Sequence, residues 1–432
     1  MEALVPYKEN ESSYFRIAGG NQLKGEIKVQ GAKNAVLPVL AGVVLNRGTS
    51  RIKNCPKILD VECMIKILKE VGCKVQWEGD VLIIDSKNIN TSIIPEKYVR
   101  EMRSSIILLG SILGRMKSVK ISFPGGCSIG TRPIDLHLKA LKKMNVEVVE
   151  KSGYIECKTS KIIGNKINLD YPSVGATENI MLAAVLSEGE TYISNAAKEP
   201  EIIELQSFLN KMGGNIQGAG TDEIIIKGVS QLHDVEFTIM PDRIVAGTYL
   251  AAAAITNGEI HLKNTINQHF SSATSKLIEM GCYIREYSDS IYLRAPERLK
   301  AVDLIRTQPY PGFPTDMQSQ FMSLLTNCDG TSVITETIFE SRFKSVGELM
   351  KMGANIITEG RSAIIKGPTK LNGAEVFAKD LRGGAALIIA ALSAEGVSII
   401  KDVQHVLRGY EDVVGDLKSL GATMDLINIA GD

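Results

Sequence analysis

No two of the seven cysteines, at 55, 63, 73, 127, 157, 282 and 328, form a CxxC pair, and their number is odd. A disulfide framework or a zinc site needs cysteines at matched spacings, so neither is expected. The five histidines, at 137, 233, 261, 269 and 405, form no HExxH or similar ligand pattern, and no metal or other cofactor is expected. Net charge is missing too. Forty-nine Lys and Arg offset 49 Asp and Glu, which removes any whole-molecule attraction to nucleic acid or anionic lipid. No stretch approaches about 20 continuous apolar residues, and the opening Met-Glu-Ala-Leu is not a basic region followed by an apolar one. The expectation is a cytoplasmic protein without nucleic-acid or membrane partners, in which any anion is gripped locally.

No Pro- and Ser-rich linker separates the halves, so organisation must be sought in a repeat. Segments of helical apolar period that end in Gly or Asn and run into a β-like stretch recur six times, from "IKILKEVGCKVQW" to "GDLKSLGATMDLI". Their closing residues are Gly72, Asn145, Gly213, Gly281, Gly353 and Gly421. Each suits a left-handed position after a helix, where Gly has no Cβ to clash and Asn is the next best tolerated. A second kind of helix, as in "GTYLAAAAITNGEIHLKN" and "LIIAALSAEGVSIIKD", is apolar nearly all round and belongs inside its domain. Strands such as "EIIIKG" alternate, as sheets with one wet face require. Six α/β units of about 70 residues group more naturally into two globes of three than into a solenoid, with a boundary near residue 240.

The starts of the buried helices are in register. Lys33, Arg103, Ser173, Arg243, Asp316 and Arg382 stand there, at intervals of 70, 70, 70, 73 and 66. Helix N-termini already favour anions through their free N–H groups and dipole, and Lys33, Arg103 and Arg382 add positive charge. Arg243, in "PDR", fits either this register or an Asp–Arg pair. Asp316 fits both a general base and a helix N-cap in "TDMQ". One cysteine departs from the core-packing reading that suits the other six. Cys127 sits among glycines in "FPGGCSIGTRPIDLH", five residues before Arg132.

The motifs "GAKNAVLP", "PGGCSIGTRPIDLH", "SVGATENIM", "NAAKEPEI", "MPDRIVAGT", "FPTDMQSQF", "ITETIFESRF", "DLRGGAAL" and "HVLRGYED" resemble, in order, those of the UDP-N-acetylglucosamine 1-carboxyvinyltransferase family. The likeness spans nearly the whole chain. It implies an inside-out α/β barrel of two globular domains, each of three βαβαββ repeats: residues 33–240 in one, residues 1–32 plus 241–432 in the other. It implies transfer of the enolpyruvyl group of phosphoenolpyruvate to UDP-N-acetylglucosamine with release of phosphate, opening peptidoglycan precursor synthesis, by a monomer. By resemblance, Cys127, Asp316 and Lys33 are catalytic. Lys33 would contact phosphoenolpyruvate and Asn34 the aminosugar, while Arg103 would meet phosphates. Arg132, Arg382 and Arg408 would hold the phosphoenolpyruvate carboxylate and phosphate, with Arg342 a further substrate contact. Ser173, Val174 and Gly175 would serve the diphosphate, Pro133 and Leu136 the uracil, and Asp316 and Ile338 the sugar. Cys127 would protonate C3 of phosphoenolpyruvate from a closing loop, and would form adducts with phosphoenolpyruvate and with the epoxide fosfomycin. Arg132 would raise its thiolate fraction.

His137 reads as a hydrogen-bonding partner on that loop. The chain departs from the family pattern at Tyr171-Pro172, at Val245 and at Tyr310, and its first dozen residues match nothing in it. Two rivals differ in class. A 5-enolpyruvylshikimate-3-phosphate synthase should carry "GNAGTAMR", which is absent here. A silent, nucleotide-sugar-binding paralogue should have shed costly buried charges such as Lys33, Asp316 and Arg408.

Overall fold

The computed structural model describes residues 13–124 and 134–428. The chain divides into two compact units. One joins the described residues up to Val29 with Arg243–Gln308 and those from Gly312 onward, and the other joins the described part of Gln30–Asp242 with Pro309–Pro311. Three sheets belong to each.

Five of the six sheets among the described residues follow one plan, which the sixth keeps except for its entering strand. An entering strand pairs in parallel with a second, which pairs antiparallel with a third, which pairs antiparallel with a fourth. In the Gln30–Asp242 unit, Lys166–Asn168 lies parallel to Glu190–Ser194, which is followed by Glu223–Lys227 and Asn215–Gln217. The sheet of Ser118–Ser122, Tyr154–Lys158 and Glu147–Lys151 has three strands, and a single parallel bridge, Ile93 to Lys120, stands where the fourth would enter. In the first sheet the entering strand is Val235–Thr238, brought back beside Thr49–Lys53 from the end of the unit.

The other unit draws on the start of the chain. Lys24–Lys28 enters parallel to Glu259–Lys263, and Ser13–Ala18 lies antiparallel between Val397–Lys401 and Thr423–Asn428. Strand alternation sets the faces: in Glu223–Lys227, Ile224 and Ile226 are buried while Glu223 and Lys227 are exposed.

Two helix types accompany the sheets, as the composition predicts. The inner helices Lys33–Gly42, Leu108–Met116, Val174–Ala184, Arg243–Ile255, Thr315–Leu325 and Leu381–Ser393 are buried along almost their whole length. The outer ones, such as Leu59–Glu70 and Pro200–Lys211, bury one stripe and expose Lys and Glu. All six predicted closing residues have positive φ, from 65° at Asn145 to 107° at Gly72. Each unit has its own apolar core, built on its inner helices. Among the described residues no helix is long and apolar enough to cross a membrane.

Candidate active site

The residues in register do stand at the starts of the inner helices. Lys33 and Arg243 open theirs, Arg103 opens the 3-10 turn that leads into Leu108–Met116, and Ser173 caps Val174–Ala184. Asp316 and Arg382 are second residues of their helices. Six similar chain entries thus place six polar groups where helix dipoles favour anions.

In the unit holding Asp316, two guanidinium groups converge on one carboxylate. Arg382 Nη2 lies 2.8 Å from Asp316 Oδ2, and Arg342 Nη2 donates to Asp316 Oδ1. Both arginines are buried, whereas the Asp316 side chain keeps a quarter of its surface exposed. Arg342 also donates through Nε to the Thr315 carbonyl and lies over the Phe339 ring. Arg382 is fixed at its backbone, because Asp380 caps the helix and accepts from the N–H groups of Arg382 and Gly383 at 2.9 Å each. Pro314, not Asp316, occupies the N-cap of Thr315–Leu325, so the capping half of the sequence reading is corrected. The carboxylate turns to the arginines instead.

The loop carrying Ile338 hangs on Glu336, which is fully buried. One oxygen of Glu336 accepts from Thr307 Oγ1 at 2.8 Å and from the N–H groups of Ile338 and Phe339, and the other accepts from Thr315 Oγ1. Arg408 is half-buried and closes the short helix Gln404–Leu407.

In the other unit, Lys33 Nζ forms a buried ion pair with Asp60 Oδ2 at 2.8 Å. Asp242 Oδ2 accepts from the Lys33 N–H at 2.9 Å, so the "PDR" carboxylate helps cap the first inner helix. Asn34 follows on that helix, half-buried. Ser173 Oγ accepts from the Ala176 N–H, and Val174 and Gly175 form the first turn beside it, half-buried. Leu136 packs on the core of this unit.

His137 lies in the helix Asp135–Lys143 and not on a loop, which corrects the sequence reading of its setting. Its Nδ1 is 2.8 Å from Asn179 Nδ2. The same Asn179 accepts from the Gly110 N–H through Oδ1, which sets the amide as donor to His137. Burial and the nearby Arg103 push the imidazole down to about 4, so it is neutral. Gly175 permits its close approach, since a Cβ there would meet the ring at 3.2 Å.

Four glutamates unremarked in the sequence are grouped in this unit. Burial and the neighbouring Glu201 and Glu199 raise the Glu178 carboxyl well above the carboxylate range. Burial, with Glu201 adding to it, takes Glu204 to about 7, although Glu204 accepts from the Met240 N–H at 2.8 Å. Glu199 accepts from the N–H of Tyr310, one of the departures from the family pattern. For three of the four the signal was present as acids within "NAAKEPEIIEL", with Glu178 apart in "SVGATENIM", but the pairing partners are remote in sequence.

The family pattern of EPSP synthase (3-phosphoshikimate 1-carboxyvinyltransferase) matches residues 17–417. The UDP-N-acetylglucosamine 1-carboxyvinyltransferase 2 of Caldanaerobacter subterraneus subsp. tengcongensis is 55% identical over 415 residues, 96% of this chain and 99% of that protein. The UDP-N-acetylglucosamine 1-carboxyvinyltransferase 1 of Symbiobacterium thermophilum is 51% identical, over 97% of this chain and 96% of that one. The chain belongs to the UDP-N-acetylglucosamine 1-carboxyvinyltransferase family. Its fold is that of a solved enolpyruvyl transferase, NikO from Streptomyces tendae, with a TM-score of 0.87 at 22% identity, over 97% of this chain and all of that one.

Three of the residues that resemblance to this family singles out, Cys127, Arg132 and Pro133, lie outside the described residues. The other six cysteines are buried, and none of them is in a disulfide. Burial pushes the thiols of Cys63, Cys73, Cys157, Cys282 and Cys328 up to about 12, so none of those five supplies a thiolate at neutral pH. Within its unit each, the structure joins Asp316 to Arg342 and Arg382, and Lys33 to Asp60. Asp60, Glu336 and Asp380, which help hold these elements in place, were not singled out in the sequence, whereas Asp242 was read only as a partner for Arg243.

Proposed function

We propose that this chain transfers the enolpyruvyl group of phosphoenolpyruvate to the 3'-hydroxyl of UDP-N-acetylglucosamine and releases inorganic phosphate. The observation that carries this reading is the carboxylate of Asp316, near the start of one inner helix, held by two buried arginines, Arg382 near the start of another and Arg342 at the head of a 3-10 turn. Guanidinium forks match carboxylate and phosphate oxygens, so an incoming anion competes with Asp316 for Arg342 and Arg382. As the anion takes them, an Asp316 oxygen is released to accept the proton of the sugar hydroxyl. The hydroxyl oxygen bonds to C2 of phosphoenolpyruvate while C3 takes a proton from Cys127, which gives a tetrahedral phosphate-bearing intermediate. Return of a C3 proton to the Cys127 thiolate and departure of phosphate then restore the double bond. Lys33, ion-paired and capped in place, adds a cation for the phosphate, with Arg103, Arg132 and Arg408.

We assign residues 33–240, with Cys127, to one functional domain and residues 1–32 plus 241–432 to the other. We read each as three βαβαββ units in an inside-out α/β barrel, which the common plan of the sheets supports. On this reading Asn34, Ile338, Leu136 and Pro133 contact the nucleotide sugar, Ser173, Val174 and Gly175 face its diphosphate, and the protein works as a cytoplasmic monomer.

Phosphate release from phosphoenolpyruvate, followed with and without UDP-N-acetylglucosamine, tests the reading. Release that needs both substrates, is lost in Cys127→Ala and survives in Cys127→Asp without inactivation by an epoxide is expected. Nucleotide-sugar binding with no release would favour a silent paralogue.

A further inference from the structure

Behind Asp316 the interior of its unit is not purely apolar. Gln320, fully buried one turn along the helix, donates through Nε2 to the Asp316 carbonyl at 2.8 Å and to Thr248 Oγ1 at 3.3 Å. Thr248 Oγ1 stands 2.8 Å from the Ile244 carbonyl, which can only accept, so its single proton goes there. The Tyr410 hydroxyl, 2.8 Å from the same oxygen, is therefore the donor. Tyr410 is 1% exposed and stands two residues after Arg408, on a turn closed by the N–H groups of Gly409 and Tyr410 to the Val406 carbonyl. A continuous chain of hydrogen bonds thus joins the backbone of Asp316 to the turn that carries Arg408.

Two further observations separate this chain from ordinary core filling. Gln320 Oε1 is buried without a hydrogen-bond partner, and turning the amide over would set oxygen against the Asp316 carbonyl. A buried orphan acceptor destabilises, so an apolar side chain of similar length would serve stability better. A small apolar-lined cavity also lies beside Thr248 and the Tyr410 ring, bounded by Ala252, Ile388 and Val413. Packing alone does not hold the ring tightly on that side. Its hydroxyl does.

We propose that Gln320, Thr248 and Tyr410 are positioning residues that hold Asp316 and Arg408 in fixed relation for enolpyruvyl transfer. The inference rests on the functional reading above. Gln320 acts on the base and Tyr410 on the anion-binding arginine, so their losses fall on different kinetic constants.

Steady-state phosphate release and thermal unfolding of four variants test this. Gln320→Met lowers kcat about fivefold to tenfold, the effect of one net hydrogen bond, with KM for phosphoenolpyruvate kept and Tm unchanged or raised. Tyr410→Phe raises that KM by a similar factor and keeps kcat. Thr248→Val shows both defects, and Thr248→Ser, which restores the hydroxyl, shows neither. Wild-type constants in Gln320→Met and Tyr410→Phe overturn the inference, as do losses that only follow a fall in Tm. If the wild-type protein itself releases no phosphate, the functional reading fails and this inference falls with it; if it turns over and the variants match it, positioning alone fails.

Discussion

At Asp316 two positive groups, each almost fully buried, share one carboxylate, and neither arginine has comparable access to water. Asp316→Asn leaves both guanidinium charges facing a neutral amide, which destabilises because a buried charge loses its partner. The expected result is a fall in Tm together with a loss of turnover on the order of 10²-fold or more. Inorganic phosphate or sulfate should restore the Tm of this variant by binding the uncovered arginines, without restoring turnover. A variant whose Tm ignores added anion would show that the arginines are not open to ligand. The sequence made Asp316, Arg382 and Lys33 legible because a register of helix starts singled them out. Their pairings were not legible, although Arg342 itself was named by resemblance, because Asp60 is 27 residues from Lys33 and Arg342 is 26 from Asp316. Nothing local ties such pairs together.

The elements were the easier reading. Glycine and asparagine at the closing positions, a one-striped outer helix and an all-apolar inner helix all follow from local rules, and all six closing residues have positive φ. What local rules missed is how elements are tied at depth. Glu204, on the outer helix Pro200–Lys211, holds the backbone of Met240 just before the chain leaves its unit. Its folded-state value, about 7, lies above the usual 4.5, so the fold prefers the protonated acid. The stability this gives is full below pH 4.5 and is lost as pH rises from 4.5 to 7, by up to about 3 kcal/mol. Glu204→Gln keeps an acceptor for Met240 and removes the titration. Urea unfolding should find the variant more stable than wild type at pH 8 and equal to it near pH 4.5. A constant difference across that range would contradict this account of Glu204.

For the molecule as a whole, balanced charge directed attention to local clusters, and among the described residues two buried arginines do converge on the Asp316 carboxylate. The mixed sheets and helices were readable because the period survives in the sequence, and six sheets stand among the described residues. The exchange of strands was not readable from local pattern, since Ser13–Ala18 and Val235–Thr238 find partners in sheets built from distant residues. Full-length identity near one half to UDP-N-acetylglucosamine 1-carboxyvinyltransferases fixes the family. The chemistry is tested most directly by the product. The nucleotide recovered after incubation with phosphoenolpyruvate should be examined by mass spectrometry and proton NMR, with phosphate measured in the same sample. The account predicts a nucleotide sugar carrying one enolpyruvyl ether on its 3'-oxygen, with two vinyl protons and one phosphate released per product. Recovery of unchanged UDP-N-acetylglucosamine from a folded protein that binds it would contradict the account.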